Sequence, residues 1–311
     1  MASGRDIFWI ETARQRLGLV PALGGGVAEW SWLVGSDVVH LWRPWDRTSE
    51  DCFSLASFAM LPWCNRISRG GFLHGGRWLP MAPNRHGEPY PIHGDGWLQG
   101  WSLESPGPGT AELRLDSRRH EGNPYEYDAL QRFELIENGL IQTVTVTHRG
   151  GRPLPYGLGL HPWFPRTPHA RVQANVTGVW LTGDDPIPNR YSTDLPVDGD
   201  LNAGAGMDGP MLDNTYVGWD GRASIQWPER DLTLEVVQDS WCSRSGAIEA
   251  QFCLMYRPPA AATFCFEPMT QAADAFRLAG CPGLVELGEG ETLILRVHWL
   301  VHGRGFSRSA S

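Results

Sequence analysis

LQRFELIENGLIQTVTVTH, residues 130–148, is the stretch on which the fold turns. Thr143, Thr145 and Thr147 alternate with Val144 and Val146, the two-residue period of a strand with one face buried and one wet. The apolar run 130–136 supplies a partner, and the ENG between them (137–139) is a hairpin signal. Working outward, LTLEVVQD (232–239) and TLILRVHWLV (292–301) read the same way. Shorter runs at 17–20, 38–42, 111–115, 172–176, 223–227, 252–256 and 262–266 sit between Gly, Pro, Asn and Asp clusters. Long stretches of helical period are missing, and 54–61 is expected as a short helix or turn. Many short strands separated by turns predict a large all-β sandwich or barrel. The segment GDLNAGAGMDG (199–209) is expected as a flexible loop, too short and embedded to divide domains. Residues 1–311 are therefore expected to form one domain, a common size for an all-β unit.

Composition narrows the function classes. With 41% hydrophobic and 20% charged residues, the chain is neither disordered nor collagen-like. No apolar run approaches the roughly 18 residues of a membrane helix, so no membrane partner is expected. The opening MASGRDIFWIETARQR carries charges where a secretory leader needs its apolar stretch, which predicts a cytoplasmic protein. A net charge of -9 without a Lys/Arg cluster argues against nucleic acid as a partner, since that binding rests on attraction to phosphates. Six scattered cysteines, without a CxxC pair, read as reduced, mostly buried small hydrophobes. Fifteen tryptophans are first of all core filler, with stacking on a sugar ring as the lesser alternative.

Four segments hold the chemistry. Between 62 and 97, Asn65, Arg66, His74, His86, Glu88 and His93 crowd among glycines and prolines. A single histidine there is more simply a turn cap; the density of polar groups is what suggests a site on loops. In GLGLHPWFP (157–165) His161 lies among apolar residues, as a satisfied core histidine also would. In TFCFEPMTQAADAF (263–276) Glu267 ends an apolar run, and carboxylates are seldom buried without a partner or a task. In MLDNTYVGWDG (211–221) Asp213 precedes a strand and alone reads as turn chemistry. Together these groups provide a carboxylate base, imidazoles that titrate near neutrality, and binders of hydroxyl groups. Such a set suits acid–base catalysis on a polyhydroxylated ligand. No GxSxG, P-loop or dinucleotide fingerprint is present, and no cysteine shows a partner histidine.

At these residues the sequence resembles the aldose 1-epimerase (galactose mutarotase) family. VPALGGGVAEWSW is similar to its opening strand pair, NRISRGGFLHGG to its NRI-x-x-G-x-F segment, and IHGDGW and LGLHPWF to its two histidine motifs. LDNTYVG is similar to the aspartate motif and FCFEPMTQAADAF to the glutamate motif. The resemblance implies a β-supersandwich of mostly antiparallel sheets, and a cofactor-free, metal-free isomerase that interconverts the anomers of a free aldose. By the motifs it carries over, Glu267 would be the general base at the C1 hydroxyl and His161 the general acid at the ring oxygen. His93 would assist on the ring-oxygen side, and Arg66 and Asp213 would hold sugar hydroxyls, with Asn65 placing the Arg66 loop. The base and acid are expected on opposite sides of the ring, Glu267 ionised and His161 protonated when sugar binds.

The segment around Arg66 resembles a divergent bacterial branch that includes mutarotases of 6-substituted or anionic sugars such as sulfoquinovose. Trp63 and Arg69, with Trp30, Trp32, Trp42, Trp45, Arg77 and Arg85, are the candidates for a stacking wall or an anion pocket. The expected partner is a small-molecule sugar, and the protein is expected as a monomer or homodimer. Two alternatives stand beside this reading. One is a non-catalytic sugar-binding or sensing protein on the same scaffold. The other is a cupin-type metal enzyme using His86, Glu88 and His93, spaced H-x-E-x₄-H.

Overall fold

In a computed structural model, residues 6–303 are described; residues 1–5 of the opening stretch read above lie outside them. The hairpin forms as read. Strand Glu126–Ile136 pairs with Gly139–His148 through a two-residue loop, Ile136 facing Gly139. Val144 and Val146 are fully buried, while the three threonines stay half-exposed. Outward from it lie Thr292–His302, Leu232–Cys242, Arg222–Trp227 and Arg171–Ala174 on one side, and Thr110–Arg118 and Ser102–Gly107 on the other. These strands form the backbone of a ten-stranded antiparallel sheet.

A second, eight-stranded antiparallel sheet holds Gly178–Leu181, Leu212–Val217, Phe252–Arg257, Thr263–Met269, Gly159–Leu160 and Ala59–Met60 in that order. Thr263–Met269 is buried along nearly its whole length, which explains why the sequence shows a continuous apolar run there instead of an alternation. The main core draws on both sheets: Val144, Leu295 and Trp299 from the first, Tyr216, Phe264 and Phe266 from the second. The tryptophans behave mainly as core. Trp30, Trp42 and Trp299 meet edge-to-face at 5.0 and 5.3 Å, and all three are fully buried.

Two local expectations are corrected. Segment 54–61 holds no α-helix; a single 3₁₀ turn at Cys52–Ser54 precedes the strand Ala59–Met60, whose backbone is taken up by Gly159–Leu160. Segment 199–209 is anchored, because Leu201, Ala205 and Met207 are apolar and bury. Its residues Ala205–Gly206 pair as a strand with Arg171–Ala174, and the Tyr216 hydroxyl donates to Gly199 O at 2.6 Å. No helix among the described residues is long and apolar enough to cross a membrane.

Candidate active site

Asn65, Arg66, His93, His161, Asp213 and Glu267 line one hollow of about 310 Å³, together with Arg43, Phe53, Arg85, Glu88, Trp163 and Tyr256. Three neighbouring strands of the eight-stranded sheet supply its floor. Asp213 pairs in register with Tyr256, and Leu254 with Glu267, so these side chains share a face. His161 follows the two-residue strand Gly159–Leu160. Its N–H donates to Phe58 O at 3.0 Å, and its ring stacks on Phe58 at 4.7 Å.

Two loops close one side. Asn65 and His93 both have positive φ, 54° and 57°, and face each other. The His93 N–H donates to Asn65 O at 2.9 Å, and the Asn65 N–H donates to His93 Nδ1 at 3.1 Å. A ring nitrogen that accepts carries no proton, so neutral His93 holds its proton on Nε2. Gly94 must be glycine: a Cβ there would sit 1.8 Å from Leu61 O, and its φ is +71°. Asn65 Oδ1 accepts from the Arg66 N–H at 2.8 Å. The Arg66 guanidinium donates to both Glu88 carboxylate oxygens at 3.0 Å, and its Nη1 lies 3.6 Å from Asp213 Oδ2. Further along, Ser68 donates from N and Oγ to Asp274 at 2.9 and 2.7 Å, tying this loop to the segment beyond Glu267.

Glu267 Oε1 lies 3.4 Å from His161 Nε2, and Oε2 has no hydrogen-bond partner among the described residues. Burial pushes the Glu267 carboxyl well above the usual range; neighbouring Asp213 adds to this and Arg66 opposes it. Burial pulls His161 down to about 3, and pulls His93 well below the usual imidazole value, with His161 contributing. Asp213 is raised to about 6 by burial against the pull of Arg66. Burial thus favours the neutral form of both imidazoles and the protonated carboxyl of Glu267. Loss of water penalises each charged form, so the ionised pair that the mutarotase resemblance implies belongs to the site with sugar bound. The two groups stand side by side.

Trp63 and Arg69 are not brought to the hollow. Trp63 is buried in the main core against Tyr125, ring centres 5.6 Å apart. Arg69 is exposed in the turn Ser68–Gly70, as an unpaired charge prefers. Trp30, Trp32, Trp42 and Trp45 are core, and Arg77 lines a separate hollow. Of the candidates for a wall or an anion pocket only Arg85 lines this one, paired with Asp51 at 2.8 Å and lying over the Phe53 ring at 3.8 Å.

Sequence reasoning missed Arg43, Phe53, Trp163 and Tyr256. Trp163 had a signal, two residues after His161 in the same motif; the others had none. Arg43 donates to Phe53 O and Leu55 O at 2.7 and 2.6 Å and lies over Trp163 at 4.6 Å. The cupin-type cluster does not assemble: Glu88 grips Arg66, His93 Nδ1 is occupied by Asn65, and His86 is exposed. Nor are all cysteines without a histidine, since Cys265 Sγ lies 3.7 Å from His161 Nδ1. A larger hollow of about 780 Å³ lies around Trp219, Trp241 and Arg296, but no histidine lines it.

Residues 10–244 match the family described as aldose 1-epimerase. Over 282 residues the chain is 31% identical to an uncharacterized protein, YphB, of Escherichia coli (strain K12), covering 89% of this chain and 94% of that protein. A candidate aldose 1-epimerase from Escherichia coli K12 has a crystal structure that superposes with a TM-score of 0.85 at 26% identity, over 96% of this chain and 99% of that one. A galactose mutarotase-like protein from Clostridium acetobutylicum superposes with a TM-score of 0.81 at 15% identity, over 96% and 95%, a likeness that speaks to fold alone. The antiparallel all-β architecture is the galactose mutarotase-like one that the motifs implied. The chain belongs to the aldose 1-epimerase family.

Proposed function

We propose that the protein is a mutarotase that opens and recloses the ring of a free aldohexose, exchanging its α and β anomers. The observation that carries this reading is the Glu267–His161 pair, 3.4 Å apart at a buried wall of a hollow with one carboxylate oxygen unpartnered. O1 and O5 are bonded to the same carbon, so two groups side by side serve them both. Glu267 takes the O1 proton as the C1–O1 bond becomes a carbonyl and the C1–O5 bond breaks. His161 delivers a proton to O5. After rotation about C1–C2 the aldehyde presents its other face, O5 attacks C1, His161 recovers its proton and Glu267 returns one to O1.

The reactive state, carboxylate beside imidazolium, has the same total proton count as protonated carboxyl beside neutral imidazole. It needs only a transfer from Glu267 to His161, and sugar hydroxyls that solvate the carboxylate favour it. His93 donates its Nε2–H toward the ring oxygen. Arg66, held by Glu88 and Asp213, binds sugar hydroxyls, and Asn65 holds the backbone that aims both Arg66 and His93. The chemistry of these steps belongs to protein side chains throughout, and modest acid–base assistance of roughly 10²–10⁴ is enough for a ring that opens unaided in water.

A second reading concerns the sugar. Arg43 donates from Nη2 to two backbone carbonyls, its buried Nε has no partner among the described residues, and Asp46 acts on it only through the field, which favours an anionic 6-substituted hexose over a neutral one. NMR saturation transfer between the anomers of glucose, galactose, fucose and sulfoquinovose tests both readings. Enhanced exchange of a neutral hexose supports the first, and exchange confined to sulfoquinovose the second. Saturable binding with no enhanced exchange for any sugar returns the protein to the class of sugar binders.

A further inference from the structure

Cys265 and Glu267 are two residues apart on strand Thr263–Met269 and so project to the same side. His161 lies between them, its Nδ1 at 3.7 Å from Cys265 Sγ and its Nε2 at 3.4 Å from Glu267 Oε1. One ligand atom from each of the three lies within 4.8 Å of the others. All three side chains are buried, and Oε2 of Glu267 has no partner among the described residues. Nitrogen at about 2.0 Å and sulfur at about 2.3 Å from a tetrahedral zinc stand roughly 3.5 Å apart, close to the imidazole–thiol spacing found here. One ion takes a single nitrogen of His161, so gathering all three donors requires the imidazole or the Glu267 side chain to turn, and a fourth ligand, water, would enter from the hollow that His161 and Glu267 line.

We propose that His161, Cys265 and Glu267 form a site for one soft divalent cation of the zinc class, and that its occupancy closes the site to the sugar. Thiolate and carboxylate together cancel the 2+ charge, which removes the penalty of burying either anion alone. Arg43 and Arg66 face the cluster from the rim and oppose the cation, and Asp213 offsets part of their charge. Binding of the ion displaces the thiol proton and any carboxyl proton to solvent. Inhibition follows because the ion occupies the two groups assigned to proton transfer; this half rests on the mutarotase reading, whereas metal binding does not.

The exposed thiol Cys281 is first removed as Cys281→Ser in the full-length chain, so that it does not compete for metal. Cadmium chloride is then titrated while thiolate-to-cadmium charge-transfer absorption is followed, and zinc chloride is titrated by calorimetry. The expected result is one ion per chain, a band absent in Cys265→Ser, and zinc affinity weakened at least about tenfold in both Cys265→Ser and Glu267→Gln. Glu267→Gln retains the thiol and the packing, so it keeps the test valid if Cys265→Ser does not fold. A band surviving in folded Cys265→Ser, or zinc affinity unchanged in Glu267→Gln, overturns the site. Zinc that binds at one per chain but leaves anomer exchange untouched at saturation overturns the inhibition. Cadmium binding in a protein that exchanges no sugar upholds the site and sinks the mutarotase reading instead.

Discussion

The backbone N–H of Asn65 donates to Nδ1 of His93 across 28 residues of sequence, at 3.1 Å, and so determines which ring nitrogen of His93 faces the hollow as a donor. Both residues adopt positive φ to meet, and the pair is closed by a second bond from the His93 N–H to Asn65 O. His93 is therefore a neutral donor through Nε2, pulled well below the usual imidazole range by burial and by His161. Nitrogen-detected NMR should find the Nε2–H tautomer with no titration between pH 5.5 and 8. A His93 signal that protonates in that window contradicts the assignment.

Glu267→Gln keeps the volume of the protonated carboxyl that the buried site already favours. Anomer exchange should fall by roughly 10²–10⁴, while sugar affinity by titration changes little and the thermal midpoint holds or rises. A variant that keeps more than a tenth of the exchange rate removes Glu267 from the role of base.

Much of this arrangement is legible in the sequence because it rests on local pattern. The alternation at 143–147 needs only a buried face and a wet one, and Glu267 and His161 each stand out as a polar group beside an apolar run. What stays illegible depends on the third dimension. Trp63 and Trp163 both follow a proline, yet one packs into the core and the other lines the hollow, according to which side of the sheets its segment passes. Arg43 and Phe53 flank a segment with little regular structure, and nothing in their neighbours announces a site. The pKa shifts are illegible for a related reason: a sequence names the titrating groups, but their depth of burial comes only with the fold.

Glu88 binds Arg66 through both carboxylate oxygens, and that fork is what points the guanidinium. Glu88→Gln keeps one acceptor and loses the bidentate charge. KM should rise about tenfold with kcat changed less than threefold, since the contact serves binding in ground and transition states alike. A fall in kcat at constant KM would instead place Arg66 at the reacting atoms.

The Ser68–Asp274 clamp ties the Arg66 loop to the chain 206 residues away through two bonds, both buried. Asp274→Ala leaves the Ser68 N–H and hydroxyl without their partner, at about 1–3 kcal/mol. Thermal unfolding should begin several degrees lower, and KM should rise because Arg66 loses its support. An unchanged midpoint would mean that water replaces the carboxylate at no penalty.

Asp213 links pH, binding and stability with signs that can be worked out. Its folded pKa is raised from 3.8 to about 6, chiefly by burial. Between those values the native state holds a proton that the unfolded chain has released, so this group's contribution to stability is full below pH 4 and lost as pH rises through 6. The loss at pH 7 is at most about 3 kcal/mol. Asp213→Asn should thus unfold at higher temperature than the parent at pH 7.5, the difference vanishing near pH 4, with Glu88 still neutralising Arg66. Sugar binding moves the other way: the carboxylate that steadies Arg66 and accepts from hydroxyls exists only above about 6, so kcat/KM should drop on acidification through that value. In Asp213→Asn the acid limb should disappear at a uniformly lower kcat/KM. If the limb persists in the variant, it belongs to another group; if the variant is less stable at pH 7.5, the buried carboxylate is held by contacts stronger than its 3.6 Å approach to Arg66 implies.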